Sequence, residues 1–246
     1  LAFDSQGKYL AYGDASGFMT LISLSTDNII KKKKAVNDPV AAIHILPRFK
    51  QLLVGSTGKV LKRYNFKGDE EARMVGMRGP VRQLDVFRDK IAIAAYDLNP
   101  RLYAMDGKLL LRLENQSDTT TAIRFNTYGD QFITAHADGS QRIWSANGKL
   151  MQRIDHQQGY TTQIIWSAPY TYFFGTSTGT IVFYQNDQVK LLKGHQSPIV
   201  GLYYDNELLT SFDSSGNIFQ WKTDGSLNAS SLMPSEEDRI TFQLKY

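Results

Sequence analysis

Short hydrophobic runs separated by polar turns recur along the whole chain. The first stretch, 1–13, consists of an apolar run, a polar turn, a second apolar run and a small residue. The same outline returns in the segments 43–55, 84–94, 123–135, 164–175 and 202–211. Apolar runs of this length between turn signals predict β-strands, and no sustained helical period lies between them.

The repeat has a period close to 40 residues. The last apolar residue of the opening run falls at Phe3, Ile45, Val86, Phe125, Trp166 and Tyr204, in steps of 42, 41, 39, 41 and 38 residues. In five repeats a glycine marks the turn before the third run, and Pro100 takes this place in the remaining repeat. Glycine suits such turns because it adopts positive φ without steric cost. The repeats are therefore copies of one structural unit.

Each unit predicts four short antiparallel strands. The third run, as at 101–104 and 141–144, is followed by an Asp-Gly or Asn-Gly pair and then by a fourth run, as at 108–113 and 149–154. Those dipeptides favour tight hairpins. A four-stranded sheet of this size cannot bury both faces alone, whereas radial stacking buries the sheets on one another. The sequence thus predicts an all-β fold, a β-propeller with six visible blades and seven in the full-length protein.

We expect one propeller domain over residues 1–246. The blades are expected at approximately 1–35, 36–76, 77–116, 117–157, 158–196 and 197–232. Residues 239–246 alternate as a strand does, and they are expected to start a further blade or to close the ring. Because the chain begins with Leu1 inside a blade, we expect it to be part of a longer protein.

Composition narrows the classes of function. Hydrophobic residues make up 42% of the chain, charged residues 21%, and cysteine is absent, which excludes disulfides and thiolate chemistry. No run approaches the roughly 18 apolar residues of a transmembrane helix. The four histidines, at 44, 136, 156 and 195, show no metal-ligand spacing. We expect no metal or cofactor, and a location in the cytoplasm or nucleus.

Two repeats resemble the signature of the WD40 family. Gly194-His195 matches the Gly-His pair of that signature. Asp138 and Trp144 match its Asp turn and its closing tryptophan, and Trp221 matches the tryptophan again. The resemblance implies a propeller that acts as a rigid scaffold for protein assembly, with proteins or peptides of a larger complex as partners.

The resemblance also implies a structural hydrogen-bond network of His, Ser or Thr, Asp and Trp. His195, Ser211 and Trp221 fit three of these positions, but Ser215 stands where the aspartate is expected. Asp138 and Trp144 lack an upstream histidine. We therefore expect the network to be incomplete in every repeat.

Catalysis is the weaker hypothesis. Ser211, His195 and Asp213 contain the residue types of a nucleophilic triad, but the structural hydrogen-bond pair implied by the WD40 resemblance already accounts for His195 and Ser211. No set of histidines or carboxylates converges on the central channel. We expect no enzymatic activity, and an enzyme with a site in the channel is kept as an alternative.

The expected binding surface is the rim where the loops that lead into the blades lie beside the turns between second and third strands. Aromatic, arginine and methionine side chains are enriched at protein interfaces. The candidate rim residues are Met77, Arg78, Tyr96, Asp97, Asn99, Arg101, His136, Tyr160 and Asp213.

A basic segment gives a further alternative. Residues 1–67 contain eleven Lys or Arg against four Asp or Glu. The candidate anionic-partner patch comprises Lys31, Lys32, Lys33, Lys34, Lys59, Lys62 and Arg63. On an outermost strand lysines discourage edge-to-edge pairing, and the alternative is contact with RNA, acidic lipid or an acidic protein. Glu70 and Glu71 are expected in a solvated loop.

Overall fold

The structure, a computed structural model, describes residues 1–4, 6–114, 118–168, 171–205, 207–222 and 224–232, leaving aside the side chains of 230–232. The expected loop at 233–238 and the expected strand at 239–246 lie outside the described residues. Within the described ranges, no helix is long and apolar enough to cross a membrane.

In the described ranges, twenty-four strands form six four-stranded antiparallel sheets. Blade 1 contains β1 (Ala2–Phe3), β2 (Tyr9–Gly13), β3 (Phe18–Ser23) and β4 (Asn28–Lys34). Blade 2 contains β5 (Val40–Leu46), β6 (Gln51–Ser56), β7 (Leu61–Asn65) and β8 (Glu70–Met74), with a 3₁₀ turn at Pro47–Phe49. Blade 3 contains β9 (Val81–Phe87), β10 (Lys90–Ala95), β11 (Arg101–Ala104) and β12 (Leu109–Arg112).

The second half of the chain repeats this arrangement. Blade 4 contains β13 (Thr120–Phe125), β14 (Gln131–His136), β15 (Ser140–Ser145) and β16 (Leu150–Asp155). Blade 5 contains β17 (Thr161–Ala168), β18 (Thr171–Thr176), β19 (Ile181–Gln185) and β20 (Gln188–Leu192). Blade 6 contains β21 (Ile199–Asp205), β22 (Leu208–Asp213), β23 (Asn217–Lys222) and β24 (Leu227–Leu232).

The sheets are stacked in chain order. In each blade the strands pair consecutively, and the first strand contacts the first strand of the next blade from β1 through β21. The first strands are therefore innermost and the fourth strands outermost. This arrangement confirms the predicted β-propeller, with six four-stranded blades in the described part of the chain.

The core lies between the blades, which explains why the second strands are almost wholly apolar. Successive side chains of a strand point to opposite faces of the sheet. In β6, Leu52 packs in the cluster shared with blade 1, whereas Leu53 packs in the cluster shared with blade 3. Both side chains have no accessible surface. Each second strand thus supplies two interfaces, so its apolar run is continuous and does not alternate.

Candidate functional site

The hydrogen-bond network expected to be incomplete is complete in blade 6. His195 Nδ1 lies 2.9 Å from Asp213 Oδ2, and His195 Nε2 lies 2.7 Å from Ser211 Oγ. The indole N–H of Trp221 donates to the same serine hydroxyl at 2.8 Å. The expectation that Ser215 takes the acidic position was wrong, because Asp213 at the end of β22 reaches His195 directly.

Asp213 is consequently not an exposed rim residue. It is buried, and its carboxylate accepts hydrogen bonds from the backbone N–H groups of Ser215 and Asn217, each at 2.9 Å. Burial raises the pKa of this carboxyl, but the hydrogen bonds from Asn217 and His195 outweigh that effect and lower the pKa below its ordinary value. Asp213 therefore stays ionised in the fold and fixes the turn between β22 and β23.

The Asp213–His195–Ser211 chain has the connectivity of a catalytic triad, but no substrate can reach it in this structure. Ser211 has no accessible surface, and its hydroxyl already accepts the Trp221 N–H. Burial lowers the pKa of His195, and Asp213 opposes this effect only in part. These hydrogen bonds instead attach the loop that leads into blade 6 to the strands of that blade.

Blade 4 contains a related network in which a histidine replaces the aspartate and a backbone oxygen replaces the second side chain. Trp144 Nε1 donates to Thr134 Oγ1 at 2.8 Å, and Thr134 Oγ1 lies 2.9 Å from His136 Nε2. His136 Nδ1 then lies 3.2 Å from the backbone oxygen of Asp118. The histidine thus stands at the position of Asp213, and its second partner is a backbone oxygen of the loop that leads into the blade.

His136 was expected as an exposed rim residue, and this was wrong. Its side chain has no accessible surface, because hydrogen bonds to Thr134 and to the Asp118 carbonyl hold it inside the blade. Burial, followed by the nearby guanidinium of Arg142, lowers the pKa of His136 to about 4. Asp138, matched to the family turn in the sequence, accepts from Ser140 N at 2.9 Å and lies 3.5 Å from Arg142.

Most of the candidate rim residues of blade 3 form a buried, hydrogen-bonded cluster around Arg101, which we call the support. Arg101 is 2% exposed, and it pairs with Asp97 at 3.0 Å. Its guanidinium also donates to the backbone oxygens of Asn99 at 2.5 Å and Gly76 at 2.9 Å. Asn99 and Met77 are buried as well. The expectation that Met77, Asn99 and Arg101 contact a partner directly is therefore corrected, since all three face the interior.

The support of blade 3 holds an exposed apolar surface. Tyr96, Val75 and Leu98 are 61%, 60% and 47% exposed. Arg78, also exposed, donates its backbone N–H to Asp97 at 2.7 Å, which joins the loop before the blade to the turn after β10. We call Val75, Arg78, Tyr96 and Leu98 the blade 3 patch.

The blade 3 patch borders the mouth of the central channel. Tyr96 also lines a depression of about 400 Å³ there, together with Arg82, Thr121 and Thr162. The Thr121 side chain is 6% exposed, and its hydroxyl has no hydrogen-bond partner. Among the residues that the structure describes, none that lines the depression is acidic. Tyr160, expected on the same rim, is 39% exposed, but the structure does not place it in this depression.

The lysine run lies in β4, the outermost strand of blade 1. Lys31 and Lys33 are half-buried, whereas Lys32 and Lys34 are exposed. The ammonium of Lys33 donates to the backbone oxygen of Gly68 at 2.6 Å and lies 5.5 Å from the ring centre of Tyr64. Half of the run therefore contacts blade 2.

Two cations of the candidate patch are paired. Lys62 lies 2.9 Å from Glu70, and Arg63 lies 3.6 Å from Glu71. Hydrogen bonds from Arg73 first, and then from Lys62, lower the pKa of Glu70 to about 2. The two glutamates begin β8, so their expected place in a loop was wrong. Of the three candidate cations on blade 2, Lys59 is the one that is exposed and outside these pairs.

Sequence reasoning missed Val75 and Leu98. Both are large apolar residues, and apolar residues of this kind are assigned to the core by default. Their position could have revealed their exposure, because each lies beside a turn and outside the four apolar runs of its repeat.

The fold and the hydrogen-bond networks of blades 4 and 6 define a β-propeller with WD40-like blades. No protein-family model matches the chain, and no curated protein matches it by sequence. The structure is similar to the WD40 β-propeller domain of Doa1, with a TM-score of 0.79 and 16% identity over 95% of this chain and 81% of that one. It is also similar to the computationally designed Ika8 protein, with a TM-score of 0.68 and 19% identity over 94% and 85%. These likenesses show the fold alone.

Proposed function

We propose that this propeller is a non-catalytic scaffold of a multiprotein assembly and that it binds a partner protein through the blade 3 patch. The observation that carries the proposal is the exposure of Val75, Tyr96 and Leu98 on two segments joined by buried Arg101 and Asp97. Exposed apolar groups that cluster beside a pocket are typical of interaction sites.

The support favours binding because it fixes the patch before a partner arrives. A surface that is ordered in the free protein loses less conformational entropy on binding. Tyr103 adds to this order, since its hydroxyl donates to the backbone oxygen of Val75 at 2.5 Å. A buried ion pair such as Arg101–Asp97 contributes little stability compared with apolar residues of the same volume. Its benefit here is the position of the two segments.

The channel mouth supports a polar anchor next to the apolar one. Arg82 is exposed, and its Nε donates to the Thr121 carbonyl at 3.2 Å. A partner side chain that enters the depression meets this guanidinium, the free hydroxyl of Thr121 and no carboxylate. An Asp or Glu side chain of the partner fits these groups.

The experiment compares partners captured by the wild-type chain and by matched variants. Tyr96→Ala/Leu98→Asp alters the patch without touching the buried support. Leu150→Asp is the control, because Leu150 is 46% exposed on the outer strand of another blade. Proteins retained by the wild type and by Leu150→Asp, but lost with the patch variant, are the expected result. Identical sets of proteins from all three would contradict the proposal.

The lysines of β4 have a separate role in this proposal, which is to keep the outer edge of blade 1 from pairing with another sheet. Lys33 is held on blade 2, and Lys62 and Arg63 are paired with glutamates, which weakens the case for an RNA or acidic lipid site. Substituting all four lysines of the run by glutamine tests this. Increased self-association with unchanged binding to RNA and to anionic vesicles is expected.

A further inference from the structure

A second recess lies at the opposite end of the propeller from the blade 3 patch. It has a volume of about 1000 Å³ and is formed by turns of blades 2 and 3 with Phe3 of blade 1 beside them. Its apolar lining includes Ile45, Leu46, Val86 and Met105. We call this recess the lower groove.

One wall of the lower groove is a fixed turn that presents an aromatic ring. The 3₁₀ turn Pro47–Phe49 starts with a proline and ends at Lys50, whose φ is 52°. Proline restricts φ, so this turn has little freedom to rearrange. Phe49 is 52% exposed at the groove, and the Arg48 guanidinium lies 5.9 Å from its ring centre.

The charges around the groove are mostly positive. Arg63 is paired with Glu71, whereas no described carboxylate forms an ion pair with Arg48 or Arg88. The guanidinium of Arg88 lies 5.2 Å from the ring centre of Phe87 and lines the groove together with Asp89. Two guanidinium groups that form no ion pair with a described carboxylate therefore border an apolar floor.

We propose that the lower groove binds a short acidic segment of a partner protein, in which a large apolar side chain lies between carboxylates. The apolar side chain covers Phe49 and the floor, and the carboxylates pair with Arg48 and Arg88. Arginine suits this role because its planar guanidinium donates two parallel hydrogen bonds to one carboxylate. The proposal is independent of the blade 3 patch, since the two sites share no residue.

The probe is a fluorescein-labelled decapeptide with Leu-Trp in the middle, two aspartates on each side and Gly-Ser ends. One control peptide has asparagine in place of every aspartate, and a second has Gly-Ser in place of Leu-Trp. Fluorescence anisotropy is expected to show saturable binding of the probe to the wild-type chain. Each control is expected to bind about tenfold more weakly, because a charge-assisted contact or a buried aromatic ring is lost.

Matched variants locate the binding. Arg48→Glu/Arg88→Glu is expected to weaken binding of the probe by more than about tenfold, since attraction becomes repulsion. Lys32→Glu/Lys34→Glu makes the same change in net charge on exposed side chains of β4 and is expected to leave the dissociation constant unchanged. Tyr96→Ala is also expected to leave it unchanged, which separates this site from the blade 3 patch.

A second readout does not depend on the variants. The chain has six methionines, and Met105 lines the groove, whereas Met151 is exposed on an outer strand of blade 4. With methyl-labelled methionine, the probe is expected to shift the NMR signal of Met105 and to leave that of Met151 in place. Absence of saturable binding, equal binding by the double arginine variant, or equal binding of the uncharged peptide overturns the proposal. Probe binding that anionic vesicles or RNA displace also overturns it.

Discussion

The hydrogen-bond network of blade 4 predicts that His136 makes the protein less stable in weak acid. The backbone oxygen of Asp118 can only accept, so His136 Nδ1 carries the proton and Nε2 accepts from Thr134. Arg142 lies 3.4 Å from the same Nε2 and also only donates. The Thr134 hydroxyl could reorient, but the guanidinium cannot accept, so a proton on Nε2 would face a cation and the network favours the neutral imidazole.

The magnitude follows from the difference between the folded and unfolded states. The pKa of His136 falls from 6.5 to about 4, since burial and Arg142 oppose the charge more than Asp118 and Asp138 favour it. The unfolded chain thus binds a proton at a higher pH than the folded chain does, so stability falls as the pH drops from 6.5 towards 4. Because one pKa unit corresponds to about 1.4 kcal/mol, His136 accounts for a loss of about 2 kcal/mol between pH 7.5 and pH 5.

The perturbation is His136→Gln, which removes the titrating group and keeps a side-chain acceptor for Thr134. Urea unfolding at pH 7.5 and pH 5 gives the free energy of unfolding of both proteins. The variant is expected to be less stable at pH 7.5, and the difference is expected to shrink by about 2 kcal/mol at pH 5. Subtraction between the two proteins cancels the other histidines, whose pKa values are also lowered by burial.

Two results would refute this reasoning. One is a stability difference between wild type and His136→Gln that stays constant from pH 7.5 to pH 5. The other is an imidazole NMR signal, absent from the variant, that titrates near pH 6.5 in the folded wild type. Either result would mean that Nε2 is free to take a proton.

Three further substitutions test the supports described above. Arg101→Met leaves buried Asp97 without its cation, and a loss of about 3–5 kcal/mol in urea unfolding is expected, whereas Arg101→Met/Asp97→Leu is expected to recover most of it. Trp221→Phe removes the N–H donated to Ser211, and a loss of about 1–2 kcal/mol is expected by the same assay. Gly79→Ala places a Cβ 2.0 Å from the backbone oxygen of Tyr96, so lower stability and altered NMR signals of the blade 3 patch are expected.

The sequence predicts the blades well because the information is local. The third strand of blade 3 was expected at 101–104, and β11 runs from Arg101 to Ala104. The fourth strand of blade 4 was expected at 149–154, and β16 runs from Leu150 to Asp155. Turn glycines and apolar runs are read from neighbouring residues, and four strands with their turns account for each repeat.

The candidate site was predicted less well, because burial of its residues depends on distant partners. The turn at Pro100 before β11 was located correctly, but Arg101 faces inward because its guanidinium donates a hydrogen bond to the oxygen of Gly76, 25 residues upstream. Nothing in the local pattern shows that carbonyl. His136 was misplaced for the same reason, since its acceptor at Asp118 belongs to the loop before the blade.

The third strands show why these loops are held firmly at all. In blades 4 and 6, Trp144 and Trp221 reach the preceding loop through a hydroxyl and a histidine. In blades 2 and 3, Tyr64 and Tyr103 reach it directly, donating to the backbone oxygens of Ala35 and Val75 at 2.5 Å.

Two kinds of hydrogen bonding therefore hold the loop that leads into a blade against the third strand of that blade. One is a chain from tryptophan through a hydroxyl to histidine, and the other is a direct bond from tyrosine to the backbone. The direct tyrosine hydrogen bond needs neither histidine nor serine, so a repeat without the WD40 signature can keep its loop attached. Because the tyrosine hydroxyl donates to a backbone oxygen, the side chain of that loop residue takes no part in the hydrogen bond. In blade 3 that side chain is Val75, which is why the repeat with the least family likeness in its turn can present an apolar patch on a rigid base.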